Sequence, residues 1–301
     1  MLSHADTALY RAKTDGRNTY RFFEAAMGAA VRERRMLEHD LRMAIARNEL
    51  RLVYQPQKGL QDESMTGFEA LLRWKHPIRG EISPAVFIPI AEESGTILEI
   101  GDWVIKTACR EAATWEQPLT VAVNVSAVQL YNPDFVQQLH QTLLDTGLSP
   151  RRLEIEITET ALVRDFNRAL TTLRLIKALG IRIAMDDFGT GYSSLSNLRA
   201  FPFDKIKIDG SFIKSVNSNE QAATIVRAVL GLGRGLGLPV LAEGVETAAE
   251  LQFLRDELCD EVQGYLLGRP AAIGQFRHLT HTEIVLDAAA GDTPALRAKS
   301  A

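Results

Sequence analysis

Residues 51–74 read RLVYQPQKGLQDESMTGFEALLRW. Two β-patterned runs, Arg51–Pro56 and Met65–Trp74, flank the polar, glycine-bearing connection Gln57–Ser64. A parallel crossover needs roughly a dozen residues or more, so this pair is predicted to be an antiparallel hairpin. Six further strand patterns follow, at Leu119–Val125, Arg152–Thr158, Ile181–Asp187, Asp204–Asp209, Pro239–Glu243 and Glu261–Tyr265. A helical pattern fills each gap from the second strand onward. Eight strands in this rhythm predict an α/β fold, a TIM-like (β/α)8 barrel with the first strand antiparallel to the rest.

Working outward, Ser83-Pro84 and Asn132-Pro133 place a cap residue before a proline at the first helical position, and Gly147, Gly180 and Gly237 are predicted helix stops. Residues 30–49 form a charged amphipathic helix with Leu37, Leu41 and Ile45 at a spacing of four. A short helix is expected over Asp6–Lys13. The domain reading is a preceding segment at 1–35, a barrel at 36–280 and a disordered tail at 281–301.

Composition bounds the function classes. The 301 residues are 46% hydrophobic and 24% charged, which suits a globular domain and excludes a fibrous or wholly disordered chain. A net charge of −4 supplies no global basic field for duplex nucleic acid. Cys109 and Cys259 are distant and form no CxxC, so neither a disulfide framework nor a zinc–thiolate site is expected. The sequence has no apolar run of spanning length and no signal-peptide core at its start. The expected compartment is the cytoplasm, with any membrane tether lying upstream.

Barrel active sites lie at the carboxyl ends of the strands. Glu69 and Arg73 share a face of the second strand, and Asn124 ends the third. Glu156 lies on the fourth, with Glu159 just beyond it. Asp186 and Asp187 end the fifth, Lys207 and Asp209 share a parity on the sixth, Glu243 ends the seventh and Gln263 lies on the eighth. Five carboxylates (Glu69, Glu156, Asp186, Asp187, Glu243) would meet two cations, Lys207 and Arg73. Crowded carboxylates must protonate, pair or bind a cation. Oxygen donors without His or Cys select a hard ion, Mg2+ or Mn2+, and adjacent aspartates can serve two. Two metals activate water and stabilise a leaving oxygen in phosphoester hydrolysis. After Asp187 comes a glycine-rich loop, Phe188 to Leu195, placed where barrels bind ligands. The stretch Gly231 to Gly237 lacks dinucleotide-binding spacing and lies between helix and strand, the reverse of what that motif requires.

These motifs together resemble the EAL-domain family of cyclic di-GMP phosphodiesterases. They are Tyr54-Gln55-Pro56, Glu69-Ala70-Leu71, Asn124-Val125-Ser126, Glu156 to Glu159, Asp186 to Ser194, Lys205 to Asp209, Ala242 to Glu246 and Gln263-Gly264-Tyr265. The resemblance covers roughly residues 36–280. It implies a barrel with one reversed strand and hydrolysis of cyclic di-GMP to linear pGpG. It further implies one metal held by Glu69, Asn124, Glu156 and Asp186, and a second shared by Asp186 and held by Asp187 and Glu243. Lys207 would orient the water, and Glu243 has also been viewed in the family as a general base. Glu159 would anchor the glycine-rich loop, and Gln263 would support the water or second metal. Gln55, Arg73 and Asp209 would contact the dinucleotide, and a homodimer would form beside the glycine-rich loop. Residues Ala5–Lys13 with Gly16-Arg17-Asn18 resemble the end of a GGDEF diguanylate cyclase domain, which implies an upstream GGDEF or sensor partner. Two alternatives stay open on sequence: a catalytically silent cyclic di-GMP-binding sensor, and a Mg2+-dependent barrel lyase or isomerase.

Overall fold

The polar turn between the first two strands closes a hairpin. In the computed structural model, which describes Tyr20 and residues 25–163, 165–189 and 200–281, Asp62 accepts from the Ser64 backbone N–H at 3.1 Å and from its hydroxyl at 2.8 Å. β1 (Leu50–Gly59) and β2 (Met65–His76) therefore pair antiparallel, with Gln55 opposite Glu69 and Arg51 opposite Arg73. The other barrel strands are β4 (Thr120–Asn124), β5 (Leu153–Thr158), β6 (Arg182–Phe188), β7 (Lys205–Ile208), β8 (Val240–Ala242) and β9 (Glu261–Gln263). β2 pairs parallel with β4, and each later strand pairs parallel with the next. β1 closes the ring antiparallel to β9, with Gln57 opposite Gln263. The eight-stranded barrel with antiparallel β1 is the expected fold. A ninth strand, β3 (Gly80–Ile82), escaped the sequence reading; it pairs with the end of β2 that overhangs the ring.

Strand alternation separates two environments. Val121, Val123, Ile155, Ile157, Ile183, Met185, Ile206 and Ile208 are buried in the hydrophobic layer between barrel and helices. Phe68 meets Trp115 edge-on at 5.4 Å, and Trp74 meets Phe87 at 5.6 Å. The opposite parity fills the barrel interior with Glu69, Glu154, Glu156, Lys205 and Lys207, all buried. At Gly67 β2 lies so close to β4 that a Cβ would stand 2.2 Å from the Thr120 hydroxyl. Gly67→Ala is accordingly expected to cost about 1–3 kcal/mol or more through overpacking, read as a lower urea midpoint at unchanged m-value.

Helix boundaries follow the sequence with two corrections. Pro84–Ser94 starts as predicted, with Ser83 as cap. The start at Asn132-Pro133 is wrong: the helix is Phe135–Thr146 with Asp134 at the cap position, because the Asn132 side chain accepts from the Asp134 N–H at 3.2 Å and holds a turn there instead. The amphipathic helix is Ala25–Ala44 rather than 30–49, because a turn through Asn48 at φ 55° leads the chain into β1; it buries Leu37, Leu41 and Ala44, and Ile45 falls just past its end. Among the described residues no helix is long and apolar enough to cross a membrane. The Asp6–Lys13 helix, the GGDEF-like string, most of the glycine-rich loop and nearly all of the 281–301 tail lie outside the described residues.

Candidate active site

The parallel strands bring their carboxyl ends to one mouth. Adjacent residues on a strand normally face opposite sides, so Asp186 and Asp187 would diverge on a regular β6. They do not, because the pairing slips between Met185↔Ile206 and Phe188↔Ile208, leaving two aspartates opposite Lys207 alone. This bulge carries Asp187 at φ 54°, the left-handed region that Asp tolerates better than most residues. The Asp187 N–H donates to Asp186 Oδ1 at 3.0 Å. Carboxylate oxygens of Asp186, Asp187 and Glu243 then lie within 4.8 Å of one another.

Lys207 stands at the centre and is fully buried. Its Nζ lies 2.6 Å from Glu243, 2.7 Å from Glu156, 3.3 Å from Asp186 and 3.9 Å from Glu69. Glu69 accepts from Asn124 Nδ2 at 2.6 Å and from Gln263 Nε2 at 2.5 Å. The titration pattern follows. Burial opposes ionisation of Glu69, but Lys207 and the bonds from Gln263 and Asn124 outweigh it and hold the carboxyl below its usual range. Burial drives Glu156 well above that range despite Lys207. Burial, helped by Asp186, lifts Asp187 to about 6, and burial lifts Glu243 to about 8 against the pull of Lys207. Burial disfavours the Lys207 ammonium, yet Asp186 and Glu156 hold its proton on strongly.

One ammonium does not satisfy this cluster. Both Glu156 oxygens are buried without a well-formed hydrogen bond, and the Lys207 ammonium 2.7 Å away is shared with Glu243, Asp186 and Glu69. Orphaned buried acceptors and three convergent carboxylates fit a hard divalent cation.

The remaining expected residues divide by location. Gln55, Asp209, Gln263, Glu69, Asp186 and Glu243 line one cleft of about 500 Å³. Asp209 also caps the short helix Gly210–Ile213 by accepting from the Ser211 N–H at 3.0 Å. Arg73 lies with Asn124 in a second cavity of about 470 Å³, and Leu71 borders both. Arg73, the second expected cation, is not within ion-pair distance of the carboxylates around Lys207; its Nη1 donates to the Leu72 carbonyl at 2.9 Å. Glu159 is buried at the start of the helix Glu159–Val163, and the loop it was expected to anchor lies outside the described residues. The sequence places Lys205 and Glu154 in the inward parity but does not separate them from the site as a second polar layer. Lys205 shares the parity of Lys207 but sits deeper, 3.0 Å from Glu154 and 2.9 Å from Glu261. The signal for it was Glu154, two residues before Glu156 on the same inward face.

Residues 38–270 match the family model for the EAL domain, and the chain belongs to that family. It is 55% identical over 300 residues to an uncharacterized signaling protein of Caulobacter vibrioides, covering 100% of this chain and 36% of that one. It is 44% identical over 274 residues to the bifunctional diguanylate cyclase/cyclic di-GMP phosphodiesterase MucR of Pseudomonas aeruginosa, covering 90% of this chain and 40% of MucR. The chain thus spans well under half the length of these curated relatives. The solved structure of the PaMucR phosphodiesterase in complex with c-di-GMP superimposes with a TM-score of 0.78 at 43% identity, over 80% of this chain and 99% of that one. The family-model match leaves out residues 1–37, and it gives no support for a GGDEF remnant there.

Proposed function

We propose that this domain hydrolyses one phosphodiester bond of cyclic di-GMP to give linear pGpG. The observation that carries the reading is the meeting of Glu69, Glu156, Asp186 and Glu243 around Lys207, with Asp187 turned in by the β6 bulge, on the floor of a cleft. The named similarity to MucR supplies the substrate class.

In this reading Glu69, Asn124, Glu156 and Asp186 would hold one Mg2+ or Mn2+, and Asp186, Asp187 and Glu243 a second. When bound, the ions supply charge stabilisation and an acidified water. Lys207, ionised at neutral pH, holds the attacking oxygen and offsets charge growing on the phosphoryl group. Glu243 has a carboxyl poised near neutrality and can take the water's proton when no second ion claims it. Water adds to phosphorus, one P–O bond of the ring breaks, and the leaving ribose oxygen takes a proton. Gln55 and Asp209 contact the dinucleotide from one cleft and Arg73 from the neighbouring cavity, so an extended substrate would cross Leu71. Gln263 orients Glu69 or the water, and Glu159 anchors the glycine-rich loop. A cytoplasmic site of action, a homodimer and an upstream GGDEF partner belong to the same proposal, and the resemblance alone supports them.

The direct test is chromatographic: incubation with cyclic di-GMP and Mg2+ or Mn2+ is expected to yield pGpG, and intact substrate under every metal condition would overturn the reading. Binding without cleavage would indicate the sensor instead. Metal affinity has a predicted pH dependence. Ligands must be deprotonated, and Asp187 and Glu243 bind protons up to about 6 and about 8. Acidification from pH 8 to pH 6 is therefore expected to weaken Mn2+ binding, by about tenfold per pH unit for each proton displaced. Calorimetry in buffers of different ionisation enthalpy would count those protons, and a pH-independent affinity would contradict the assignment.

A further inference from the structure

Gln57 is fully buried in the barrel, and none of the chemistry above uses it. It lies on β1 directly opposite Gln263 of β9. Its Nε2 donates to Gln263 Oε1 at 2.9 Å. Gln263 Nε2 in turn donates to Glu69 Oε2 at 2.5 Å and to Gln55 Oε1 at 3.0 Å. Gln55 Nε2 donates to the Gly268 carbonyl at 3.2 Å.

The direction of this chain is forced. An ionised carboxylate only accepts, so Gln263 must turn its NH2 toward Glu69. Its carbonyl oxygen then faces Gln57, which must donate. Reversing the Gln263 amide would set a carbonyl oxygen against the Glu69 carboxylate and oppose two NH2 groups between Gln57 and Gln263. Keeping Gln57 has a cost, because its own Oε1 is buried without a partner. An apolar residue of the same volume would avoid that cost, so packing alone gives no reason for an amide here.

We propose that Gln57 is a positioning residue: its N–H locks the amide of Gln263, which fixes the carboxylate orientation that Glu69 presents to a divalent ion. The inference rests on Glu69 being a metal ligand. Outer partners that orient a ligand typically change metal affinity by about 10–100-fold when lost.

The test uses the whole chain and reads Mn2+ affinity by calorimetry beside the thermal midpoint. Gln57→Met, which keeps the volume and removes the donor, is expected to weaken Mn2+ binding about 10–100-fold. Gln57→Asn, which keeps the amide but loses reach, is expected to do the same. In a Gln263→Met background, Gln57→Met is expected to add no further loss, because its effect passes through Gln263. A lowered midpoint with unchanged Mn2+ affinity would reduce Gln57 to a structural residue and overturn the proposal. So would a full additional loss in the Gln263→Met background. A parent protein that binds no Mn2+ would instead remove the metal reading beneath it. One measurement needs no variant: the Gln57 and Gln263 side-chain amide protons of the parent protein are expected to exchange slowly with solvent, and fast exchange at Gln57 would break the chain at its first link.

Discussion

Glu69→Gln is expected to lower the turnover of cyclic di-GMP by about 1,000-fold or more while the domain stays folded. The magnitude follows from the several kcal/mol that metal-assisted charge stabilisation supplies, at about 1.4 kcal/mol for each tenfold in rate. The substitution is isosteric, so the effect is chemical. Glu69 is where two donors converge, Asn124 on one oxygen at 2.6 Å and Gln263 on the other at 2.5 Å. A carboxamide there presents one NH2 to a neighbour that is itself donating. One of the two bonds must break or the side chain must rotate, and either moves the remaining oxygen away from the orientation in which Glu69 would hold the proposed ion. The negative charge is lost as well, leaving a site with weaker attraction for a divalent cation. Chromatography of the product, far-UV circular dichroism and calorimetric cyclic di-GMP binding together separate the outcomes. Lost pGpG with retained fold and retained nucleotide binding is the expected combination. Parent-level turnover by Glu69→Gln would remove Glu69 from the reaction.

The barrel was legible at its least regular point. The length of Gln57–Ser64 forbids a crossover, so the reversal of β1 could be read from one connection. The inward carboxylates were legible because strand alternation gives each residue a face and the chain order gives each strand an end. Depth was not legible. Lys205 and Lys207 share a face, yet one belongs to a deeper layer with Glu154 and Glu261 and the other to the carboxylate cluster beneath the cleft. The stagger of neighbouring strands sets that difference, and strand periodicity does not encode it. Asp186 and Asp187 were paired on adjacency alone; a regular strand would separate them, and the bulge at positive φ brings them together. Gln57 was invisible for a related cause. A glutamine two residues past Gln55 in a hairpin reads as an ordinary turn approach until β9 closes the ring against it.

Removing the ammonium at the centre of the cluster gives the second large effect. Lys207→Met is expected to destabilise the metal-free domain by about 3–5 kcal/mol, the usual cost of leaving buried charges without their partner. Three carboxylates lie within 3.3 Å of Nζ, and Glu69 lies at 3.9 Å. Nothing else in the described cluster carries positive charge at that range. Methionine fills much of the same volume, so packing loss is minor and the deficit is electrostatic. Two dependences then separate this account from simple core damage. Protonation of the abandoned carboxylates relieves the repulsion, so the deficit between variant and parent is expected to narrow as pH falls from 8 toward 5. A divalent ion replaces the lost charge, so saturating Mn2+ is expected to recover part of the stability, by mass action on the folded state, without restoring turnover. Urea unfolding at two pH values, with and without Mn2+, reads both. A deficit independent of pH and metal would mean that Lys207 supports the barrel by packing, and that the carboxylates around it need no cation to coexist.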